Sequence, residues 1–327
     1  MTTTQTSVVH DLGRLAHRLS HPARTPCVCE PPQVLADRPD GTVVRSGAIV
    51  AKAHAADTDR EALAARIALA AAPQLAGILL PPLTAPEPAA PTARPVSLWP
   101  LGAPVDPTDP GAAPWAEAAD LLARLHRTEP PFPLPPMRGP AKAARAVARM
   151  RAALRGDAIT PPRDPAVLSV LAGWRSLPAW ARGEAPAPAP GADALCHGDL
   201  HLGQLVRHPV PDGPWLLIDM DDAGVGDPAW DLGRPAAWYA AGLLAPEDWS
   251  TFLDAYRAAG GPAVPADGDP WPALDVPARA LTVQTAAVAL AKCAAEQRDP
   301  DDHEQLMIES CARIATLPPE LATGPAS

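Results

Sequence analysis

Between Cys196 and Asp221 the sequence limits its own fold more tightly than anywhere else. His197-Gly198-Asp199-Leu200-His201 is a tight polar loop, and Trp215-Leu216-Leu217-Ile218 is an apolar run of strand length. That run ends on Asp219, with Asp221 and Asp222 following at once. A carboxylate at the end of a core strand cannot itself be core, so it either caps a turn or faces a cation. Three carboxylates in four residues repel one another unless a cation or hydrogen-bond donors compensate. The segment 195–231 therefore reads as strand–loop–strand–loop, with Asp199 and Asp219 at its polar edges.

The flanking sequence sorts into two unlike parts. Residues 8–24 carry Leu12, Leu15, Ala16 and Leu19 on one helical face. Gln33–Ala36, Thr42–Arg45 and Ala48–Ala53 read as strands, with turn chemistry at Asp40-Gly41 and Ser46-Gly47. A helix is expected from Asp59 to about Ala72, stopped by Pro73, and Val96–Leu101 is a further strand or a joining segment. Beyond a Pro-rich passage the pattern becomes helical: Trp115–His126, 141–155, 165–181, 247–259, 273–296 and 301–316. This order predicts an α+β fold of two unequal lobes. A small β-sheet lobe is expected over 1–101 and a larger, mainly helical lobe over 102–327.

Charge and composition narrow the partners. A net charge of −10 without any Lys/Arg run gives no basic face, so no nucleic acid is expected. The apolar stretches are interrupted by Pro73, Gln74 or Lys292, so no membrane span is expected. Met1–His10 lacks the apolar core of a signal peptide, and a soluble cytoplasmic protein is the expectation. The five cysteines include Cys27 and Cys29 about a single valine but no CxxC pair, so neither zinc nor a disulfide framework is suggested. Nothing in these patterns fixes an oligomeric state.

Asn is absent, and Lys occurs only at 52, 142 and 292, so each Lys marks a position where arginine was not used. Lys52 lies within the strand Ala48–Ala53, where a compact ammonium can grip phosphates. Glu61 opens the next helix and can pair with Lys52; Thr58-Asp59-Arg60-Glu61 also has capping-box spacing. Gln204, five residues after Asp199, offers a neutral oxygen suited to Mg²⁺, or is a surface amide. His197 and His201 have the spacing of a helical zinc pair, but Gly198 and Gly203 argue against a helix there. Asp231, after the rigid Asp227-Pro228 turn, is expected to cap a helix and brace the loop around Asp199. Transfer of a phosphoryl group from a nucleotide uses such equipment: one carboxylate receives the acceptor hydroxyl's proton, and another holds the magnesium that neutralises the phosphates.

Taken together, these residues resemble the kinase-like aminoglycoside phosphotransferase family. Its catalytic loop reads H-G-D-x-x-x-x-N, and its metal motif reads I-D-x-[DE] followed by G-D-P-x-x-D-L. The matching residues are His197, Gly198 and Asp199, then Ile218, Asp219 and Asp221, then Gly226, Asp227, Pro228, Asp231 and Leu232. Ala119–His126 is similar to the family's helix ending in Leu-His. The resemblance covers roughly 33–300 and implies a bilobal protein-kinase-like fold with ATP or GTP in the cleft. It implies Asp199 as catalytic base, Asp219 as principal Mg²⁺ ligand, Lys52 as phosphate anchor and Glu61 as its partner. Gln204 replaces the usual Asn, in the His-Gly-Asp-Leu-His-Leu-Gly-Gln form of the maltokinase branch. The phosphate-covering loop near 37–41 has only Gly41. The implied activity is phosphorylation of a small-molecule hydroxyl, such as that of an aminoglycoside or sugar. The alternative is a nucleotide-binding pseudokinase without turnover.

Overall fold

A computed structural model describes residues 3–21, 30–38, 40–84, 94–154, 164–186 and 193–318; Cys27 and Cys29 lie outside them. The strands are β1 (Gln33–Arg38), β2 (Gly41–Ser46), β3 (Ile49–His54), β4 (Val96–Pro100), β5 (Ala103–Pro104), β6 (Ala194–Cys196), β7 (Leu205–Arg207), β8 (Trp215–Leu217) and β9 (Gly224–Gly226). The helices are α1 (Thr3–Ser20), α2 (Arg60–Ala70), α3 (Trp115–Arg127), α4 (Gly139–Leu154), α5 (Pro165–Ser176), α6 (Ala229–Ala241), α7 (Pro246–Ala258), α8 (Trp271–Glu296) and α9 (Asp302–Ile314). An antiparallel sheet in the N-terminal region and a helical C-terminal region make the fold α+β.

These elements form two compact units. The first holds residues up to Ala113 together with Pro131–Leu134 and Gly203–Asp221, and the second holds the remainder. The physical reason is a sheet. β7 pairs with both β5 and β8 in antiparallel ladders, which ties 203–221 to the N-terminal residues.

In the first unit β1 to β4 lie side by side in sequence order, all antiparallel. Val44 of β2 and Ala51 and Ala53 of β3 bury with Leu98 of β4 against Leu12, Leu15 and Ala16 of α1. Side chains alternate across a strand, so Lys52 and His54 of β3 share the opposite face. Gly47, at φ 58°, occupies the left-handed region in the turn between β2 and β3. The Asp59 carboxylate caps α2 by accepting the N–H groups of Glu61 and Ala62, both at 3.0 Å. The cap is thus Asp59, one residue later than the Thr58 of the expected box.

β8 is enclosed in apolar surroundings. Leu217 N–H donates to the Ile78 carbonyl at 2.9 Å, and Leu80 N–H donates to the Leu217 carbonyl at 2.9 Å. Leu79, Leu205 and Leu217 are fully buried around it.

In the second unit α8 is the helix against which α4, α5, α6 and α9 pack, while α3 packs on α7. Its core includes Leu122, Leu125, Met150, Phe252, Tyr256 and Val283. β6 pairs with β9 in a short antiparallel ladder that brackets the 197–202 loop. Among the described residues no helix is long and apolar enough to cross a membrane.

Candidate active site

The expected site residues distribute over both units. Lys52, Gln204 and Asp219 come together in the first, and Asp199 lies in the second.

In the first unit the ladder itself sets the geometry. Leu205 pairs with Leu217, and the Ile218 N–H donates to the Gln204 carbonyl at 2.9 Å, so Gln204 and Asp219 emerge beside each other where the apolar strand ends. The Gln204 amide nitrogen lies 3.5 Å from Asp219 Oδ2. Asp219 has φ 64°, a left-handed conformation uncommon outside glycine and of the kind that clusters at functional sites. Lys52 Nζ reaches Asp219 Oδ1 at 2.5 Å and Asp221 Oδ2 at 2.9 Å. Burial alone would lower the Lys52 pKa, but the two carboxylates outweigh it and raise the value above that of an ordinary lysine.

A second residue of β3, His54, reaches one of the two carboxylates, that of Asp221. Trp99 Nε1 can only donate, and it donates to Ser97 Oγ at 2.9 Å. Ser97 Oγ also meets His54 Nε2 at 2.8 Å, and His54 Nδ1 meets Asp221 Oδ2 at 3.1 Å. Against the upward push of burial, His54 and Lys52 hold the Asp221 carboxyl well below its usual range.

Glu61 does not pair with Lys52. It is exposed in the first turn of α2, where an acidic side chain favours the helix N-terminus, and Lys52 is already engaged by Asp219 and Asp221.

In the second unit Asp199 lies in a loop shaped by Gly198, whose φ is 83°. A Cβ built on Gly198 would stand 2.2 Å from the Asp222 carbonyl oxygen, so only glycine fits. The loop 197–201 is not helical, which leaves the His197/His201 zinc spacing without its helix. Asp231, buried within α6, accepts the backbone N–H of His197 at 2.6 Å and of Gly198 at 2.7 Å. Its Oδ2 also meets His126 Nε2 at 3.0 Å, and His126 Nδ1 meets the Tyr256 hydroxyl at 2.7 Å. Asp231 thus braces the loop as expected, but it is not the helix cap. Pro228 occupies the cap position, and the Asp227 carboxylate accepts the Ala229 N–H at 2.9 Å.

The surroundings of Asp199 are cationic. Lys142 Nζ lies 2.5 Å from Asp199 Oδ2 and 2.7 Å from Asp222 Oδ2, and Arg234 is hydrogen-bonded to Asp199 Oδ1. Burial pushes the Asp199 pKa up, but Lys142 and Arg234 outweigh it and hold the group below the ordinary carboxylate value. Burial and the Arg234 charge bring His201 down to about 4. Lys142 is aimed here by backbone pairing. Met137 N–H donates to the Val225 carbonyl and Arg138 N–H to the Asp222 carbonyl, which seats the start of α4 on the 222–225 segment.

Sequence reasoning did not single out Lys142, Arg234 or His54. The scarcity of lysine was a signal for Lys142. His54 stands two residues after Lys52 on the same strand face, and Arg234 three residues after Asp231 in α6. Their partners are remote in sequence, so their roles appear only in the fold.

The oxygen donors of Asp219, Asp221 and Gln204 form a set that suits Mg²⁺. A half-turn of the Gln204 amide exchanges its nitrogen for its oxygen beside Asp219, so the longer side chain can still present an oxygen there. Lys52 supplies the compensating charge between the two carboxylates.

Compared by sequence with curated proteins, the chain has no significant match. Solved structures share its fold at low identity. A choline/ethanolamine kinase family protein from Mesorhizobium loti is 17% identical over 98% of each chain, with a TM-score of 0.53. A choline kinase from Cryptosporidium parvum is 11% identical over 94% of each chain, with a TM-score of 0.56. A thermostable mutant of the aminoglycoside phosphotransferase APH(4)-Ia, in ternary complex with AMP-PNP and hygromycin B, is 13% identical. The match covers 96% of this chain and 98% of that one, with a TM-score of 0.56. The profile of the phosphotransferase enzyme family (APH) matches residues 40–276, and the chain belongs to that family.

Proposed function

We propose that this protein is a kinase that moves the γ-phosphate of ATP or GTP to a hydroxyl of a small molecule, such as a sugar or aminoglycoside. The observation that carries the reading is the cluster of Lys52, Asp219, Asp221 and Gln204: one ammonium on two carboxylates, beside an amide. Asp219 and Gln204, with Asp221, would hold Mg²⁺, which when bound neutralises charge on the transferring phosphates. Lys52 would leave its carboxylate partners in part to grip phosphate. AMP-PNP in the structurally similar APH(4)-Ia supports a nucleotide donor.

Asp199 would orient the acceptor hydroxyl and receive its proton, on a loop that Asp231 holds in place. Its depressed pKa keeps it ionised, which suits orientation and late proton removal. The separate reading of a nucleotide binder without turnover finds little support, because an amide oxygen is retained at 204 and both carboxylates are in place. The test is nucleoside-diphosphate release across sugars and aminoglycosides, in wild type and Asp199→Asn. Acceptor-dependent release that Asp199→Asn abolishes supports the reading, and release unaffected by Asp199→Asn contradicts it.

A further inference from the structure

We propose that Lys142 and Arg234 form an oxyanion subsite beside Asp199, one that takes a phosphoryl or carboxylate group. The inference rests on the kinase reading for the role of Asp199, but the binding it asserts needs no turnover.

Each oxygen of Asp199 already faces a cation, Lys142 on one side and Arg234 on the other. One cation would be enough to hold a carboxylate in place. Arg138 adds a third positive group, 3.8 Å from Asp222 Oδ1. Lys142, Arg234 and Arg138 against Asp199 and Asp222 leave a local excess of one positive charge, in a chain whose net charge is −10.

The donors also outnumber their acceptors. Arg234 Nε is buried without a hydrogen-bond acceptor, although the guanidinium fork suits bidentate binding of phosphate or carboxylate. Lys142 and Arg138 remain partly accessible, with 23% and 30% of their side chains exposed. An ammonium in a chain that nearly always uses arginine, a second arginine that carries the cluster past neutrality, and an arginine with a spare buried donor together suit an incoming anion.

Such a subsite discriminates among acceptors. A polycationic acceptor would bring its ammonium groups against Lys142 and Arg234, whereas an acceptor carrying a phosphate or carboxylate would be drawn in. The shared chemistry has two sources: an anionic group on the acceptor, or the phosphoryl group of the nucleotide.

Inorganic phosphate, titrated calorimetrically into the full-length protein at constant ionic strength, tests the site. The expected result is saturable binding that weakens by about tenfold or more in Lys142→Met and in Arg234→Met, the scale of one charge-assisted hydrogen bond. Lys142→Arg should keep most of it, and thermal melts show whether each variant is folded. Lys292→Met, at an exposed lysine of α8, should bind phosphate like wild type. Exclusion of phosphate by Mg·AMP-PNP would assign the site to the nucleotide's phosphoryl, and additive binding would assign it to the acceptor. No saturable binding, or binding that folded Lys142→Met and Arg234→Met both retain, overturns the proposal. Phosphate binding through Lys142 without any nucleotide binding would sink the kinase reading and leave this one standing.

Discussion

Lys52 Nζ stands 2.5 Å from Asp219 Oδ1, joining β3 to a residue two positions past the apolar strand β8, 167 positions later. The pair gives the strand-end carboxylate a half-buried cationic partner. Lys52→Met removes the charge that compensates Asp219 and Asp221. Mg·ATP affinity should fall by about 10- to 100-fold, the worth of one or two charge-assisted hydrogen bonds. Lys52→Arg should restore it only in part, because a planar fork does not replace a compact ammonium. Titration calorimetry of the three proteins checks both.

Asp199→Asn should lower kcat by about 10²- to 10⁴-fold, the usual worth of a positioned acid–base group. Nucleotide affinity should stay near that of wild type, since the nucleotide-binding residues proposed lie on other elements. A matched fall in affinity would mean that Asp199 serves binding rather than the transfer step.

Asp231→Asn tests the brace. The carboxylate accepts two backbone N–H groups and faces His126, and it is 1% exposed. An amide presents one acceptor oxygen where the carboxylate has two, so a buried donor loses its partner. The expected cost is about 3 kcal/mol of stability, read from denaturant midpoints. Gly198→Ala should be comparably damaging, because its Cβ would meet the Asp222 carbonyl at 2.2 Å.

Acid sensitivity should appear in two windows. His201 is held down to about 4 against an ordinary value of 6.5. Between these values the unfolded chain binds the extra proton, so stability falls as pH drops through them, by at most about 1.4 kcal/mol per pH unit. Urea midpoints of His201→Gln should be flatter over that window than those of wild type. Asp199, Asp221 and Asp231 have depressed values, so their contribution is present above about 3.8 and is lost at still lower pH.

Much of the fold could be read in advance where a local rule governed it. The strands 42–45 and 48–53 follow from the turn chemistry at Asp40-Gly41 and Ser46-Gly47, and the helices of the second unit other than α6 from helical patterning, with ends differing by a few positions. Asp199, Asp219 and Lys52 stand out as candidates because each breaks a local pattern: a polar loop, an apolar run ending in acid, a lysine inside an apolar strand. Glu61 failed because two readings shared one spacing, and its place at a helix N-terminus won. The allegiance of 203–221 to the first unit, and the gathering of Lys142 and Arg234 on Asp199, depend on pairings between remote segments. No periodicity carries that information.

Calorimetric titration of Mg·ATP and Mg·GTP into wild type, Asp219→Ala and Asp199→Asn tests the central claim most directly. The account predicts magnesium-dependent binding of one or both nucleotides by wild type, retained in Asp199→Asn and abolished in Asp219→Ala. Absence of binding in wild type, or binding that Asp219→Ala leaves intact, would contradict it.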